Sequence, residues 1–157
     1  MLEHLAAAAG PSKKRPPFGF SAFMRVGFDE TDAQQVVYYG RYFPYIDLAR
    51  VEYHRKLGVL GMDIGEPGVE FVTRACTIEY HAPAVFDDEL EVYIRAARIG
   101  RTSATYAAEV YRAADDLLMV TATQTLVLVD LDERRPREIP LAFRETIVAF
   151  EGDDVEL

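Results

Sequence analysis

The sequence predicts an α+β domain in which one long helix packs against an antiparallel sheet of five strands. Two observations lead to this class. Five stretches alternate apolar and polar side chains with a period of two, which is typical of strands with one buried face. One stretch instead repeats apolar side chains at steps of three and four residues, which is typical of a helix with one buried stripe.

The first strand and the long helix are separated by a polar segment. Residues 18–28 alternate and predict the strand, which cannot continue through the polar residues 29–35. The apolar stripe predicts a helix over 42–57. Gly58 suits the position after its last residue, and Pro44 either fits its first turn or marks a kink.

Four further strands are predicted after the helix, and short connections favour a meander. The predicted strands cover residues 69–81, 89–99, 102–113 and 117–130. Gly100-Arg101 and residues 114–116 read as hairpin turns. A short amphipathic helix over 141–150 completes the domain, with Pro140 near its first position.

Composition limits the protein class. The chain has 157 residues, 50% hydrophobic and 27% charged, so one compact domain can bury a core without disulfides or metals. The only cysteine, Cys76, excludes an internal disulfide and a multi-cysteine zinc site, and its strand-like flanks predict a buried thiol. The net charge of −9 argues against a nucleic-acid partner, which needs clustered Lys and Arg.

Three regions are predicted along the chain. Residues 1–17 form a disordered N-terminal arm, residues 18–150 form the domain, and residues 151–157 form an acidic tail that frays. No apolar run is long enough to span a membrane, and the basic residues at 13–15 follow the alanine run rather than precede it as in a signal peptide. A cytoplasmic location is therefore expected.

Most motifs of known chemistry are missing. The sequence has no Gly-rich dinucleotide motif, no P-loop and no G-x-S-x-G elbow. His4, His54 and His81 are isolated, and none is spaced with a second zinc ligand, so structural or surface roles are favoured. No metal and no cofactor is predicted.

The polar segment before the long helix is the strongest functional candidate. Asp29, Glu30 and Asp32 come directly before an aromatic helix start. One interpretation is a solvated loop that caps the helix. The other is a carboxylate held beside free backbone amides, where an anionic intermediate can be stabilised.

One pattern runs from this loop into the helix: D-E-T-D-A-Q-Q-V-V-Y-Y-G-R-Y over 29–42, then D-L-A-R over 47–50 and Glu52. It resembles the 4-hydroxybenzoyl-CoA thioesterase family, which has the hotdog fold. The resemblance covers about residues 20–150, since E-Y-H-A-P at 79–83, the acids at 87–88 and G-R-T-S at 100–103 also match. It implies an acyl-CoA thioesterase.

The resemblance also implies roles for individual residues. Asp32 falls on the catalytic carboxylate, which attacks the thioester or activates a water, and the backbone amide at Tyr39 polarises the thioester oxygen. Gln35 stands where the family usually has glycine, so it reshapes the turn or projects into the acyl pocket. Asp47 is implied as a structural or acyl-pocket group.

Coenzyme A is implied as part of the substrate and lies across a subunit interface in this family. Arg101, Thr102 and Ser103 match the nucleotide-contacting turn, and arginines after the last strand, Arg135 among them, add charge; the alternative is that these arginines are simply solvated. The resemblance implies a homodimer, or a homotetramer of paired dimers. Two other functions stay open: hydrolysis of acyl carrier protein thioesters, and acyl-CoA binding or protein interaction without turnover.

Overall fold

The computed structural model describes residues 5–6, 10–60 and 68–157. Its strands are β1 (Leu5–Ala6), β2 (Ser21–Arg25), β3 (Val69–Tyr80), β4 (Glu89–Ile99), β5 (Ser103–Arg112), β6 (Leu117–Asp130) and β7 (Arg135–Pro136). Its α-helices are α1 (Tyr42–Leu57) and α2 (Leu141–Glu151). Five long strands and one long helix thus form the predicted α+β architecture. None of the helices in the described ranges is long and apolar enough to cross a membrane.

Helix α1 has the predicted bounds and the predicted buried stripe. Tyr42, Ile46, Ala49 and Tyr53 are all buried, and they pack over β2 and β4. Pro44 lies in the first turn, where its missing N–H costs no hydrogen bond. Gly58 ends the helix with a φ of 74°, a left-handed conformation that glycine adopts without strain.

The sheet order is β1-β2-β4-β5-β6-β3, with β7 beside β6, and all the pairings are antiparallel. The meander predicted for the last four long strands is therefore wrong for β3. Strands β4, β5 and β6 do form a meander, but β3 pairs with β6 rather than with β4. The connection over residues 81–88 is long enough to cross the end of the sheet and carry the chain from one side to the other.

Strand β3 lies at the edge of the sheet, and most of its residues are exposed. Cys76 is exposed too, so the prediction of a buried thiol is wrong. The physical reason is its position: α1 packs over β2 and β4, and the helix leaves the edge strand largely uncovered.

Residues 10–17 fall in the predicted disordered arm, yet they lie against the outer face of the sheet. The backbone N–H and the hydroxyl of Ser12 donate to the carboxylate of Glu91, which is only 2% exposed. The Arg15 guanidinium pairs with Asp116 and lies 3.5 Å from the centre of the Tyr111 ring. The rest of the arm lies outside the described residues, apart from Leu5 and Ala6 in β1.

The chain's last residues also make specific contacts. Glu151 is buried at the end of α2, where its carboxylate accepts hydrogen bonds from the Tyr53 hydroxyl at 2.6 Å and the Ala96 amide at 3.1 Å. Val155 is buried, and Glu156 forms a parallel β-bridge with Arg98 of β4. These contacts attach the acidic segment to the domain.

Candidate active site

The segment between β2 and α1 folds into a tight backbone turn. Thr31 and Val37 form an antiparallel bridge, and the Asp32 amide donates to the Val36 carbonyl at 3.0 Å. The Gln35 amide donates to the Asp32 carbonyl at 2.9 Å, which closes the turn. Asp32 therefore sits at the base of a small hairpin and is held on both sides of its backbone.

Gln35, the last residue of this turn, adopts a φ of 64°. The left-handed region costs an L-residue about 1–2 kcal/mol and is where glycine is normally preferred. Glutamine thus stands where the resembling family usually has glycine, and the backbone keeps a conformation that glycine favours. The Gln35 side chain is exposed.

The Asp32 carboxylate is partly buried and remains accessible to solvent. It accepts a hydrogen bond from the Gln34 amide at 2.8 Å, which fixes its direction. It also lies near Tyr38, whose ring centre is 4.4 Å from that of Tyr39. The pKa of Tyr38 is raised first by a hydrogen bond to Tyr39, then by the charge of Tyr39, and further by the charge of Asp32. A carboxylate and two phenols therefore share this surface.

Tyr39 opens a 3₁₀ turn over Tyr39–Arg41 that runs directly into α1. The Arg41 amide donates to the Tyr38 carbonyl at 2.8 Å. The N–H group of Tyr39 has no acceptor inside the turn, because it belongs to the first residue. Such free amides, at the positive end of a helix dipole, favour negative charge. Asp32 and a free amide are thus presented by one loop.

Asp47 lies in the second turn of α1 and belongs to a polar network that reaches the sheet. Its carboxylate pairs with Arg50 at 3.1 Å and accepts a hydrogen bond from Gln124 Nε2 at 3.1 Å. Gln124 is 6% exposed, bonds to Arg50 through its oxygen and also reaches Thr73. The predicted alternatives for Asp47, structural group or acyl-pocket group, both fit this position.

The residues expected to bind phosphate lie at the other end of the sheet. Arg101 is exposed in the β4–β5 turn and pairs with Glu138 at 3.0 Å, while Thr102 and Ser103 are partly buried beside it. Arg135 is exposed on β7, next to the end of β6. The Asp32 loop contacts Ala84, just before β4, so the 11 residues of β4 put about 35 Å between the two groups. One chain does not bring them together.

Two residues with contacts around the candidate site, Tyr80 and Gln124, lie outside the segment that the sequence pattern marks. Tyr80, on β3, donates a hydrogen bond from its hydroxyl to the Tyr39 carbonyl at 2.8 Å. No local pattern marks this contact, because the partners are 41 residues apart in the chain. Gln124 is different: it interrupts the apolar inward positions of β6, and that break in the alternation is visible in the sequence.

The described residues include no group of three or more His, Cys, Asp or Glu side chains suited to a metal ion. The site itself presents a carboxylate, backbone amides at a helix start and neighbouring phenols. That combination is suited to attack on a carbonyl carbon whose oxygen becomes negative.

Comparisons with known proteins agree with this architecture. Residues 26–147 match the family model of the thioesterase-like superfamily. The acyl-CoA thioester hydrolase YbgC of Escherichia coli O6:H1 is 33% identical over 74% of this chain and 87% of its own length. The acyl-CoA thioesterase YbgC of Haemophilus influenzae is 31% identical over 84% of this chain and 94% of its own.

Solved structures show the same fold. A hypothetical protein from Aquifex aeolicus superposes with a TM-score of 0.73 at 29% identity, covering 82% of this chain and 98% of that one. A 1,4-dihydroxy-2-naphthoyl-CoA thioesterase from Synechocystis superposes with a TM-score of 0.75 at 21% identity, covering 82% and 94%. The chain therefore belongs to the thioesterase-like superfamily and has the hotdog fold.

Proposed function

We propose that this chain is an acyl-CoA thioester hydrolase, which releases a carboxylic acid and free coenzyme A. The observation that carries the proposal is the single loop before α1, which carries both the Asp32 carboxylate and the free amide of Tyr39. Two curated relatives named for acyl-CoA thioester hydrolysis support it. We further propose that the chain is a member of the 4-hydroxybenzoyl-CoA thioesterase family within this superfamily, because its loop and helix pattern resembles that family.

The chemistry follows from these two groups. The thioester oxygen accepts a hydrogen bond from the Tyr39 amide, which stabilises the negative charge that develops there. Asp32 either attacks the carbonyl carbon and forms an anhydride that water then hydrolyses, or removes a proton from an attacking water. In both routes the carbon–sulfur bond breaks and the thiolate leaves, later taking a proton from solvent. Neither route needs a metal or a resident cofactor.

We assign Gln35 and Asp47 to the acyl side of the site. Gln35 projects from the turn that carries Asp32, and Asp47 follows Tyr42 by five residues on α1, about 7.5 Å along the helix axis. This spacing is comparable with a short acyl chain or an aromatic ring. A panel of short, long and aromatic acyl-CoAs, assayed by thiol release, identifies which group is accepted.

The edge strand β3 supports a homodimer. Its outer edge is 12 residues long, and no other strand pairs with it among the described residues. Such an edge is a template for pairing with a second strand. Antiparallel pairing of two β3 strands about a twofold axis places the Val69 end of one subunit beside the Tyr80 end of the other.

This arrangement also completes the substrate site. The Tyr80 end of β3 lies next to the Asp32 loop, and the Val69 end lies next to β7 and the β4–β5 turn. The dimer thus carries Arg101 and Arg135 of the partner subunit toward Asp32. Arginines bind phosphate through a planar fork, so they suit the nucleotide end of coenzyme A, with Thr102 and Ser103 beside them.

The outer face of β3, β5 and β6 supports further pairing of dimers into a tetramer. Its central positions are uncharged, although 27% of the chain is charged. Threonines pair across the strands there, with Thr77 and Thr123 hydroxyls 2.5 Å apart and Thr105 and Thr125 hydroxyls 2.9 Å apart. The cytoplasmic location stays a prediction from the sequence.

The catalytic assignment is tested with Asp32→Asn. The amide cannot act as a base and is a poor nucleophile, so we expect kcat to fall at least about a hundredfold with little change in melting temperature. The matched control is Asp29→Asn, on the same loop but outside the hairpin, which should keep near-wild-type turnover. An Asp32→Asn protein with wild-type turnover would contradict the assignment.

The competing functions give different outcomes in the same assays. Faster release from acyl carrier protein than from coenzyme A, for one acyl group, would favour a carrier-protein thioesterase. Binding of acyl-CoA without thiol release from any member of the panel would favour a non-catalytic binding protein. Either result would overturn the proposed activity.

The shared site is tested by mixing inactive subunits. Asp32→Asn homodimers and Arg101→Ala/Arg135→Ala homodimers are unfolded together, refolded and assayed at low substrate concentration. If the arginines serve the partner's Asp32, each hybrid dimer has one intact site, and about a quarter of wild-type activity returns. If they serve their own subunit's site, no hybrid has an intact site and no activity returns.

A further inference from the structure

We propose that the Gly40 amide is a second donor to the thioester oxygen, and that Tyr80 is a positioning residue that orients the peptide carrying this amide. The inference rests on the proposed hydrolysis and deepens it. It begins from one hydrogen bond that joins the edge strand to the start of the helix: the Tyr80 hydroxyl donates to the Tyr39 carbonyl at 2.8 Å.

The Tyr39 carbonyl and the Gly40 N–H belong to the same peptide group. A trans peptide is planar, so its carbonyl and its N–H point in opposite directions. A hydrogen bond that fixes the Tyr39 carbonyl therefore also fixes where the Gly40 N–H points. At a helix start the N–H groups point out of the N-terminal end, toward the space in front of the first turn.

The Gly40 amide is available to a ligand. As the second residue of the 3₁₀ turn over Tyr39–Arg41, it has no acceptor inside that turn. A Cβ at position 40 would lie 3.0 Å from Cε1 of the Tyr38 ring, closer than side chains normally pack. Glycine thus lets the Tyr38 ring lie close to the turn and leaves no side chain beside the amide.

Tyr80 is itself held in place. Its ring packs edge-on against Tyr42, with ring centres 5.7 Å apart, and the Tyr42 hydroxyl accepts a hydrogen bond from the Ala84 amide at 3.2 Å. The Ala84 carbonyl in turn accepts from the Val37 amide at 2.8 Å, within the loop that carries Asp32. The turn with the two amides and the loop with the carboxylate are therefore tied to the same connection between β3 and β4.

The Tyr80 hydroxyl also acts on the strength of the donor. A hydrogen bond accepted by a carbonyl polarises its peptide, and this strengthens the hydrogen bond that the N–H of that peptide donates. Charge on the thioester oxygen is greatest in the transition state. The contribution of the Gly40 amide, and with it that of Tyr80, is therefore expected in kcat more than in KM.

The test is Tyr80→Phe, which keeps the ring against Tyr42 and removes only the hydroxyl. We expect kcat to fall roughly fivefold to tenfold and KM to stay within about twofold, since the loss of one neutral hydrogen bond is of this size. The control is Tyr111→Phe, whose hydroxyl donates to Glu109 on the outer face of the sheet and should not affect turnover.

A second measurement separates positioning from a purely structural role. Replacing Tyr80 by 2,3,5-trifluorotyrosine keeps the hydroxyl but lets it ionise well below the range of tyrosine. The ionised phenolate cannot donate to the Tyr39 carbonyl, so kcat should fall with rising pH near that ionisation, while wild-type kcat does not. A purely structural role would lower the melting temperature through this ionisation without a matching step in kcat.

Unchanged kcat in Tyr80→Phe, or a trifluorotyrosine protein whose pH profile matches wild type, would overturn the inference. A rise in KM equal to the fall in kcat/KM would overturn it as well, because it would mean that Tyr80 acts on binding alone. Wild-type protein without thiol release would contradict the proposed function instead, so the two failures are distinguishable. If Tyr80→Phe fails to fold, the trifluorotyrosine profile still decides.

Discussion

His54 makes the folding stability of this protein depend on pH. It lies on α1 with its Nε2 atom 2.7 Å from the Tyr106 hydroxyl, and its ring contacts the Phe143 ring at 5.6 Å. Burial, and then the positive charge of Arg50, lower the pKa of His54 to about 4. The imidazole is therefore neutral in the folded protein over a range where an unfolded chain would protonate it.

The magnitude follows from the two pKa values. An unfolded histidine has a pKa of about 6.5, so between pH 6.5 and pH 4 the unfolded state binds more protons and is favoured as the pH falls. From pH 7 to pH 5 this linkage removes about 2 kcal/mol of folding free energy. Stability is fully present above pH 6.5 and decreases as the solution is acidified.

The assay is urea unfolding at pH 7 and pH 5 for wild type and His54→Gln, at one protein concentration. Glutamine can bond to the Tyr106 hydroxyl but does not titrate. Wild type should lose about 2 kcal/mol more than the variant between the two pH values. Burial raises the pKa of Glu151, so this residue changes the pH dependence of stability in the opposite direction. Both proteins contain Glu151, so its contribution cancels when their losses are compared.

Equal losses in the two proteins would refute the reasoning, since His54 would then not be the group that titrates. A histidine resonance assigned to His54 that titrates near pH 6.5 in the folded wild type would refute it directly. This second measurement also applies if His54→Gln does not fold.

Two other substitutions test the loop and the N-terminal segment. Gln35→Gly should raise the free energy of unfolding by about 0.5 kcal/mol. Glycine removes the strain of the left-handed backbone conformation, but it also loses more chain entropy on folding, so the net gain is small. A decrease in stability would show that the turn is not strained. Arg15→Ala should lower the free energy of unfolding by about 1–2 kcal/mol, because it removes both the stacking on Tyr111 and the ion pair with Asp116. As a control, Arg25→Ala removes only an exposed ion pair and should lower it by less than about 0.5 kcal/mol. Urea unfolding measures both variants, and equal losses would contradict the expectation.

The elements of the fold are predictable where one local pattern determines them. Helix α1 has the bounds that its apolar stripe and Gly58 indicate, and the strands after it begin and end within about two residues of their predicted bounds. The position of β3 is not predictable in this way. Alternation indicates which face of a strand is buried, but it does not say which strand lies next to it, and the exposure of Cys76 follows from that neighbour.

The same distinction applies to the candidate site. Asp32 and Tyr39 stand on one continuous segment, so a sequence pattern can indicate them together. Tyr80 comes to the site from a different strand, and the buried Glu91 accepts hydrogen bonds from Ser12 and Ser21, which lie in distant parts of the chain. Contacts of this kind depend on the sheet order, which the local patterns leave open.

The backbone conformation of Gln35 is determined by the loop around it rather than by its residue type. The Asp32 and Gln35 amides both donate within the hairpin, and these bonds require a positive φ at position 35 whichever residue stands there. Backbone strain of this kind persists only where surrounding contacts over-determine it, and it clusters at functional sites. The strained residue here closes the turn that orients Asp32. A protein that retains this conformation without glycine keeps the geometry of the carboxylate at a cost in stability.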